Sequence, residues 1–159
     1  MSACTLDLAA LAQSIKIWGQ ELGFAHVGIA GVDLGEHEQH LQRWLDAGYQ
    51  GEMEYLAAHD GKRAHPDQLI PGTVRVVSLR MDYLPGDTQM AQRLAQPEKA
   101  YVSRYALGRD YHKLVRKRVQ HLADRIQEDI GPFGYRAFVD SAPVLEKAIA
   151  EQAGLGWIG

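Results

Sequence analysis

The chain is poor in cysteine, and that scarcity excludes more chemistry than any residue present. Its 159 residues contain one, Cys4. No disulfide can close within the chain, and neither a thiolate metal cage nor an iron–sulfur cluster can be held by these residues alone. Long apolar runs are missing as well. Nothing approaches the roughly 20 residues that a membrane helix needs, and the first residues lack the basic flank and long apolar block of a secretory signal. The expectation is a cytoplasmic protein with no membrane partner. Absent too are the Walker phosphate loop, CxxC, HExxH and GxSxG. Nucleotide hydrolysis, zinc chemistry and the usual serine hydrolase are therefore without support. Internal repeats and low-complexity segments do not occur.

What is present is ordinary in bulk and uneven in detail. With 46% hydrophobic and 23% charged residues, the chain can bury one good core, so a single domain over 1–159 is the default. Residues 101–125 hold seven Lys/Arg against two Asp, hence +5 locally; the formal net charge of the whole is −3, which leaves −8 for the rest. A basic face on an acidic body could meet phosphate or nucleic acid, or it could be a solvated helix face.

Periodicity predicts a first helix over 6–22, with Leu8, Leu11, Ala12, Ile15, Trp18 and Leu22 at three- and four-residue steps and Gly23 as the stop. A compact apolar strand is expected over 24–32, containing His26, which reads more readily as a structural histidine than as a ligand. A second helix is expected over 36–47, ending at Gly48 and carrying His37 and His40. Their spacing could hold a metal, but no third ligand stands at a telling distance. A polar segment over 48–72 has a possible short helix at 52–59. The run 73–84, rich in Val and Leu between Pro71–Gly72 and Pro85–Gly86, predicts a central strand. After it come a helical turn at 90–94, a short strand at 101–104 and a long helix over 110–130, capped by Asp110, with Val115, Val119, Leu122, Ile126 and Ile130 on one stripe. The order of elements argues an α/β fold, with α+β as the alternative, in which helices cover a small sheet.

Two places look chemical. The loop 105–113, YALGRDYHK, crowds Tyr105, Arg109, Asp110, Tyr111 and His112 around Gly108 at a helix start, a setting suited to an anion or a polar cofactor edge. In 135–159, an apolar run predicts a strand over 135–139 that ends on Asp140. Pro143 then opens a helix to Ala153, with Leu145, Ala148 and Ile149 on its inner face and Gly154 as its stop. Asp140 at such a junction could be a plain helix cap, ionised, or a general acid if burial prevails. The residues alone leave both open.

Four ordered blocks carry a resemblance: WLDAGYQGEMEYL at 44–56, IPGTVRVVSLRMDY at 70–83, SRYALGRDYHK at 103–113 and VDSAPVLEKAIAEQAGLGWIG at 139–159. In these, almost end to end, the chain resembles the N-terminal part of the epoxyqueuosine reductases, which are cobalamin-dependent iron–sulfur enzymes of tRNA queuosine biosynthesis. The resemblance implies an oxidoreductase that reduces the epoxide of epoxyqueuosine in tRNA to the cyclopentene of queuosine, and a fold that forms the cobalamin-binding region. In that family reduced cobalamin carries the redox chemistry and two 4Fe–4S clusters supply the electrons. Asp140 matches the proton donor. Tyr105, Arg109, Asp110, Tyr111 and His112 match the loop near the cobalamin and the modified base, and Ser141 belongs to the same pocket.

The family continues past GLGWIG into a ferredoxin-like cluster domain and a helical-repeat region that helps grip tRNA. The expectation is therefore that the electron donor acts through an iron–sulfur domain outside this sequence, and that the isolated chain is inactive. The alternative is a non-catalytic module that binds cobalamin or tRNA. A flavin-binding reductase, suggested by sheet architecture only, ranks last.

Overall fold

The structure, a computed structural model, describes residues 6–59, 61–84 and 89–157. Cys4 and the Pro85–Gly86 turn lie outside the described residues. Helix α1 (Leu8–Glu21) starts where the Asp7 carboxylate accepts from the backbone N–H groups of Ala9 and Ala10, each at 3.0 Å. It stops at Gly23, whose φ of +86° suits glycine. There the Gly23 N–H donates to the Gln20 carbonyl at 2.8 Å and the Phe24 N–H to Gly19 at 3.1 Å. This pair of bonds satisfies the last carbonyls and turns Phe24 into the core.

Strand β1 (His26–Ala30) pairs antiparallel with β2 (Val76–Arg80), His26 lying opposite Arg80 and Ala30 opposite Val76. The pleat then sorts the side chains. Val27, Ile29, Val77 and Leu79 pack with α1 and with α5 (Tyr111–Ile130), around Ile15, Leu122 and Ile126. Ala30 and Val76 face the other way, onto Ala148 and Ile149 of α6 (Glu146–Gln152). A Cβ on Gly28 would meet the Ala153 Cβ and carbonyl oxygen at 2.7 Å, so glycine is what lets the end of α6 lie on the sheet. The result is a thin sheet between a helix pair and a single short helix, with no buried polar or charged residue among those described.

After β1, α2 (His37–Asp46) ends at Ala47 before Gly48, with φ +71°. The segment 48–72 has 3₁₀ turns at Glu54–Leu56 and Lys62–Ala64 and the short α3 (Pro66–Leu69), where one helix at 52–59 was expected. Arg63 clasps it: Nε donates to the Leu56 carbonyl at 3.1 Å and Nη2 to that of Tyr55 at 2.6 Å. Two histidines tie α2 to its neighbours, His65 to Glu38 at 2.9 Å and His37 to Glu151 at 3.5 Å. His26 is exposed at the start of β1. Helix α4 (Met90–Leu94) forms where a helical turn was expected. No helix among the described residues is long and apolar enough to cross a membrane.

The expectation of a small sheet covered by helices holds, in its α+β form, because the strands run antiparallel. Several details differ. In a two-stranded sheet β2 is an edge strand, not a central one, and it is five residues long. Residues 101–104 form no strand and run into a 3₁₀ turn at Arg104–Ala106. The expected strand over 135–139 is also absent, since no ladder partner reaches it. Side chains hold that stretch instead: Phe133 packs on the core and the Tyr135 hydroxyl meets the Gln120 amide. Helix α6 starts at Glu146, not at Pro143. The N–H of Leu145 is taken by the Arg63 carbonyl at 3.0 Å, and that of Val144 turns back to Ala142 at 2.9 Å.

Candidate active site

The site grows from the first turn of α5. Asp110 Oδ1 accepts from the His112 backbone N–H at 3.0 Å, which caps the helix, and lies 2.9 Å from His112 Nδ1. One carboxylate oxygen thus fixes both the helix start and the ring. The side-chain bond to His112, then the backbone bond, hold the Asp110 carboxyl below its ordinary value. An anionic Asp110 keeps a proton on Nδ1, so Nε2 becomes the working nitrogen. It lies 3.3 Å from Asp140 Oδ2.

The Tyr111 hydroxyl donates to the same Oδ2. That bond pushes the phenol up to about 12, because losing its proton would set two anions face to face. Adjacent helix residues ordinarily diverge. Here the two converge on one carboxylate, and the Tyr111 and His112 rings stack with centroids 4.1 Å apart at 26°. Tyr105 sets its edge on Tyr111 at 6.1 Å, and Tyr83, beyond the end of β2, sets its own on Tyr105 at 6.5 Å. Three tyrosines therefore run from the sheet to the helix, Tyr83 and Tyr105 being 65% and 55% exposed, which leaves aromatic surface free to meet a ligand.

Asp140 has φ +52°, left-handed backbone that few residues other than glycine, asparagine and aspartate adopt. It precedes α6 by six residues and bonds none of that helix's N–H groups. The capping reading is therefore ruled out. Its side chain is 48% exposed, so the apolar burial expected for a general acid here is absent too, and hydrogen bonds and charges surround it instead. Glu146, at the start of α6, senses it. Exposed by surface area, its carboxyl is still hemmed in enough that burial first, and the Asp140 charge second, push it up.

Of the residues singled out in the sequence, the structure brings together Tyr105, Asp110, Tyr111, His112 and Asp140. Arg109 and Ser141 are exposed and make no hydrogen bond or ion pair among the described residues. Sequence reasoning missed Tyr83 and Glu146. The signal for the first was an aromatic residue just past a strand, and for the second an acid in the first turn of a helix near Asp140. Along the outer side of α5, Lys113, Arg116, Lys117, Gln120, His121 and Asp124 line a shallow groove. Arg118 leaves this stripe and turns inward, 3.9 Å from the Met81 sulfur, while Arg125 pairs with Glu21 at 2.5 Å.

Known proteins share this arrangement of chain. The family model described as "Epoxyqueuosine reductase QueG, DUF1730" matches residues 63–141, from the Arg63 clasp through the tyrosines and α5 to Asp140 and Ser141. The epoxyqueuosine reductase of Pseudomonas aeruginosa is 78% identical over 153 residues, covering 96% of this chain and 42% of the relative. That of Escherichia coli K12 is 56% identical over 154 residues, covering 97% and 41%. The chain thus spans about two fifths of the length of the curated relatives it matches. The solved structure of epoxyqueuosine reductase from Streptococcus thermophilus superposes with a TM-score of 0.74 over 93% of this chain and 40% of that one, at 22% identity, which is a likeness of fold. On the sequence blocks, the matched region and these relatives, the chain belongs to the epoxyqueuosine reductase family.

Proposed function

We propose that this chain is the acid-bearing N-terminal region, a single domain, of an enzyme that reduces the epoxide of epoxyqueuosine in tRNA to the alkene of queuosine. The reaction takes up two electrons and two protons and releases the epoxide oxygen as water. Asp140 supplies a proton to that oxygen as the carbon–oxygen bond breaks, because an alkoxide leaves poorly unless it is protonated in the transition state. One observation carries this role. Asp140 has no structural duty as cap, ladder residue or buried pair, yet two side chains of α5 hold it in a left-handed conformation. Such positions concentrate at functional sites.

The residues fit a corrin on one side. Tyr83, Tyr105 and Tyr111 give exposed aromatic surface beside the acid, and exposed Val102 and Leu107 flank Tyr105 in sequence. Cobalamin would lie against this shelf, with Arg109, Asp110, His112 and Ser141 toward its polar edge. The chemistry it supplies when bound is electron delivery. The electrons would come from 4Fe–4S clusters in a domain outside this sequence, so the isolated chain is expected to be inactive. The tyrosines position the substrate, and their bulk keeps water from its reacting face.

Lys113, Arg116 and Lys117 extend from the site along α5 and suit the phosphates of the tRNA. That stripe is also what favours the second reading, a module that binds tRNA or cobalamin without catalysing anything. Asp140→Asn in the full-length reductase separates the two. Turnover should fall roughly 10²–10⁴-fold while cobalamin absorbance and tRNA affinity stay as they were; unchanged turnover removes the acid. Replacing Lys113, Arg116 and Lys117 by Gln should lower the salt slope of tRNA binding by about one per residue. An unaltered slope removes the stripe.

A further inference from the structure

An acid that has given up its proton must be recharged before it can act again. Asp140 presents Oδ2 to two side chains of α5, and they differ in what they can give. Tyr111 holds its proton up to about 12, so at neutral pH it orients the carboxyl and does not refill it. His112 is placed otherwise. Its Nδ1 is fixed 2.9 Å from Asp110, its Nε2 lies 3.3 Å from Asp140 Oδ2, and its side chain is 49% exposed, so water reaches it. The three groups form a line from the Asp110 carboxylate, through the imidazole ring, to the acid.

We infer that His112, held in orientation by Asp110, returns a proton to Asp140 after each turnover; the inference rests on Asp140 being the acid. In the recharging step the Nε2–H bond of the imidazolium breaks and an O–H bond forms on Asp140. The ring is left neutral, its remaining proton on Nδ1 against Asp110. Solvent then protonates Nε2. One proton enters, one leaves, and no electron moves. The Asp140 carboxyl turns about its soft terminal torsion to present the proton to substrate. Asp110 fixes the ring's orientation from its far side, as a buried aspartate does for the histidine of a hydrolase triad, but here in the open. The other groups facing the pair are Tyr111, stacked on His112, Tyr105 behind it, Lys113 next along α5, and Glu146 beside Asp140. Among them Tyr111 and His112 reach Asp140, and of the two only His112 has a second ring nitrogen, so that a proton given up at Nε2 can be replaced while the other stays on Nδ1. It is a positioning and relay residue that acts through Asp140.

The test uses the full-length reductase with His112→Gln and Asp110→Asn. Asn caps a helix as well as Asp does, so the second variant removes the charge and keeps the helix start. In weak buffer, His112→Gln should lower kcat about 100-fold, leave KM for tRNA unchanged and lose the histidine limb of the pH profile. Added imidazole should restore turnover. Asp110→Asn should lower kcat by less, with the same rescue. The idea is overturned if His112→Gln keeps the parental kcat and pH profile, or if its loss appears in KM and imidazole does not repair it. Should His112→Gln melt early by circular dichroism, Asp110→Asn carries the same readouts. Failure of the acid reading looks different: Asp140→Asn would then keep its turnover. If the acid reading holds, Asp140→Asn loses turnover and imidazole does not restore it.

Discussion

In its C-terminal half α5 turns Leu122, Ala123 and Ile126, which are 3–8% exposed, onto β1 and α1, whereas its first turn carries His112 out with a side chain 49% exposed. The same helix is core at one end and candidate site at the other. Apolar burial fixes where the helix lies, and the first turn inherits that position without having to contribute to it. Asp110, Tyr111 and His112 are thereby free to be chosen for what they hold. The comparison also explains why an exposed cluster can be well placed: it stands on a rigid element anchored some distance away.

The sharpest way to break this contrast is Leu122→Ala, which should cost about 2–5 kcal/mol through lost burial and the cavity left behind. Asp140→Asn should move stability by less than about 0.5 kcal/mol, as surface changes do. Urea unfolding of both variants checks it, and equal losses would mean that the site end is structural after all. A second measurement stays within the site. Tyr111 should keep its phenol proton up to about pH 12, and Asp140→Asn should let it go at lower pH. A ring-carbon NMR titration of Tyr111 that is unaffected by that substitution would show the two groups to be uncoupled.

The smallest effects are two opposed slopes in acid. Asp110 is lowered from 3.8, so its contribution to stability is complete above that value and is lost as pH falls through the lowered one. Glu146 is raised from 4.5, so its contribution is present below that value and is lost as pH rises through the raised one. Asp110→Asn should therefore flatten the acid loss of stability, and Glu146→Gln should flatten the opposing trend above it. Melting curves from pH 2 to 7 read both, and matching slopes in the two variants would contradict the assignment.

The regular half of this molecule was legible because its signals are local. Three-residue and four-residue apolar steps, Asp110 as a cap, and Gly23 and Gly48 as stops each act within one turn of chain. What was illegible depended on distant partners. Residues 135–139 have strand composition, but Gln120 and the core take Tyr135 and Phe133 before any ladder can form. Pro143 could have opened a helix, and Arg63, far away in sequence, claims the Leu145 N–H instead. The site was half legible for the same reason. The crowding in 105–113 stood out, but nothing local tells that Tyr111 and His112 reach Asp140, or that Tyr83 and Glu146 stand beside them.

The unpaired stretch that leads to Asp140 has one further consequence. Among the described residues, the amides from 133 to 142 donate no backbone hydrogen bond, while those of β1 and β2 share a ladder and the middle of α5 is fully bonded. Local opening there breaks no ladder, so it costs less than opening the sheet or the middle of α5. Amide exchange should find the acid on a fast-exchanging segment, next to one of the slower helices.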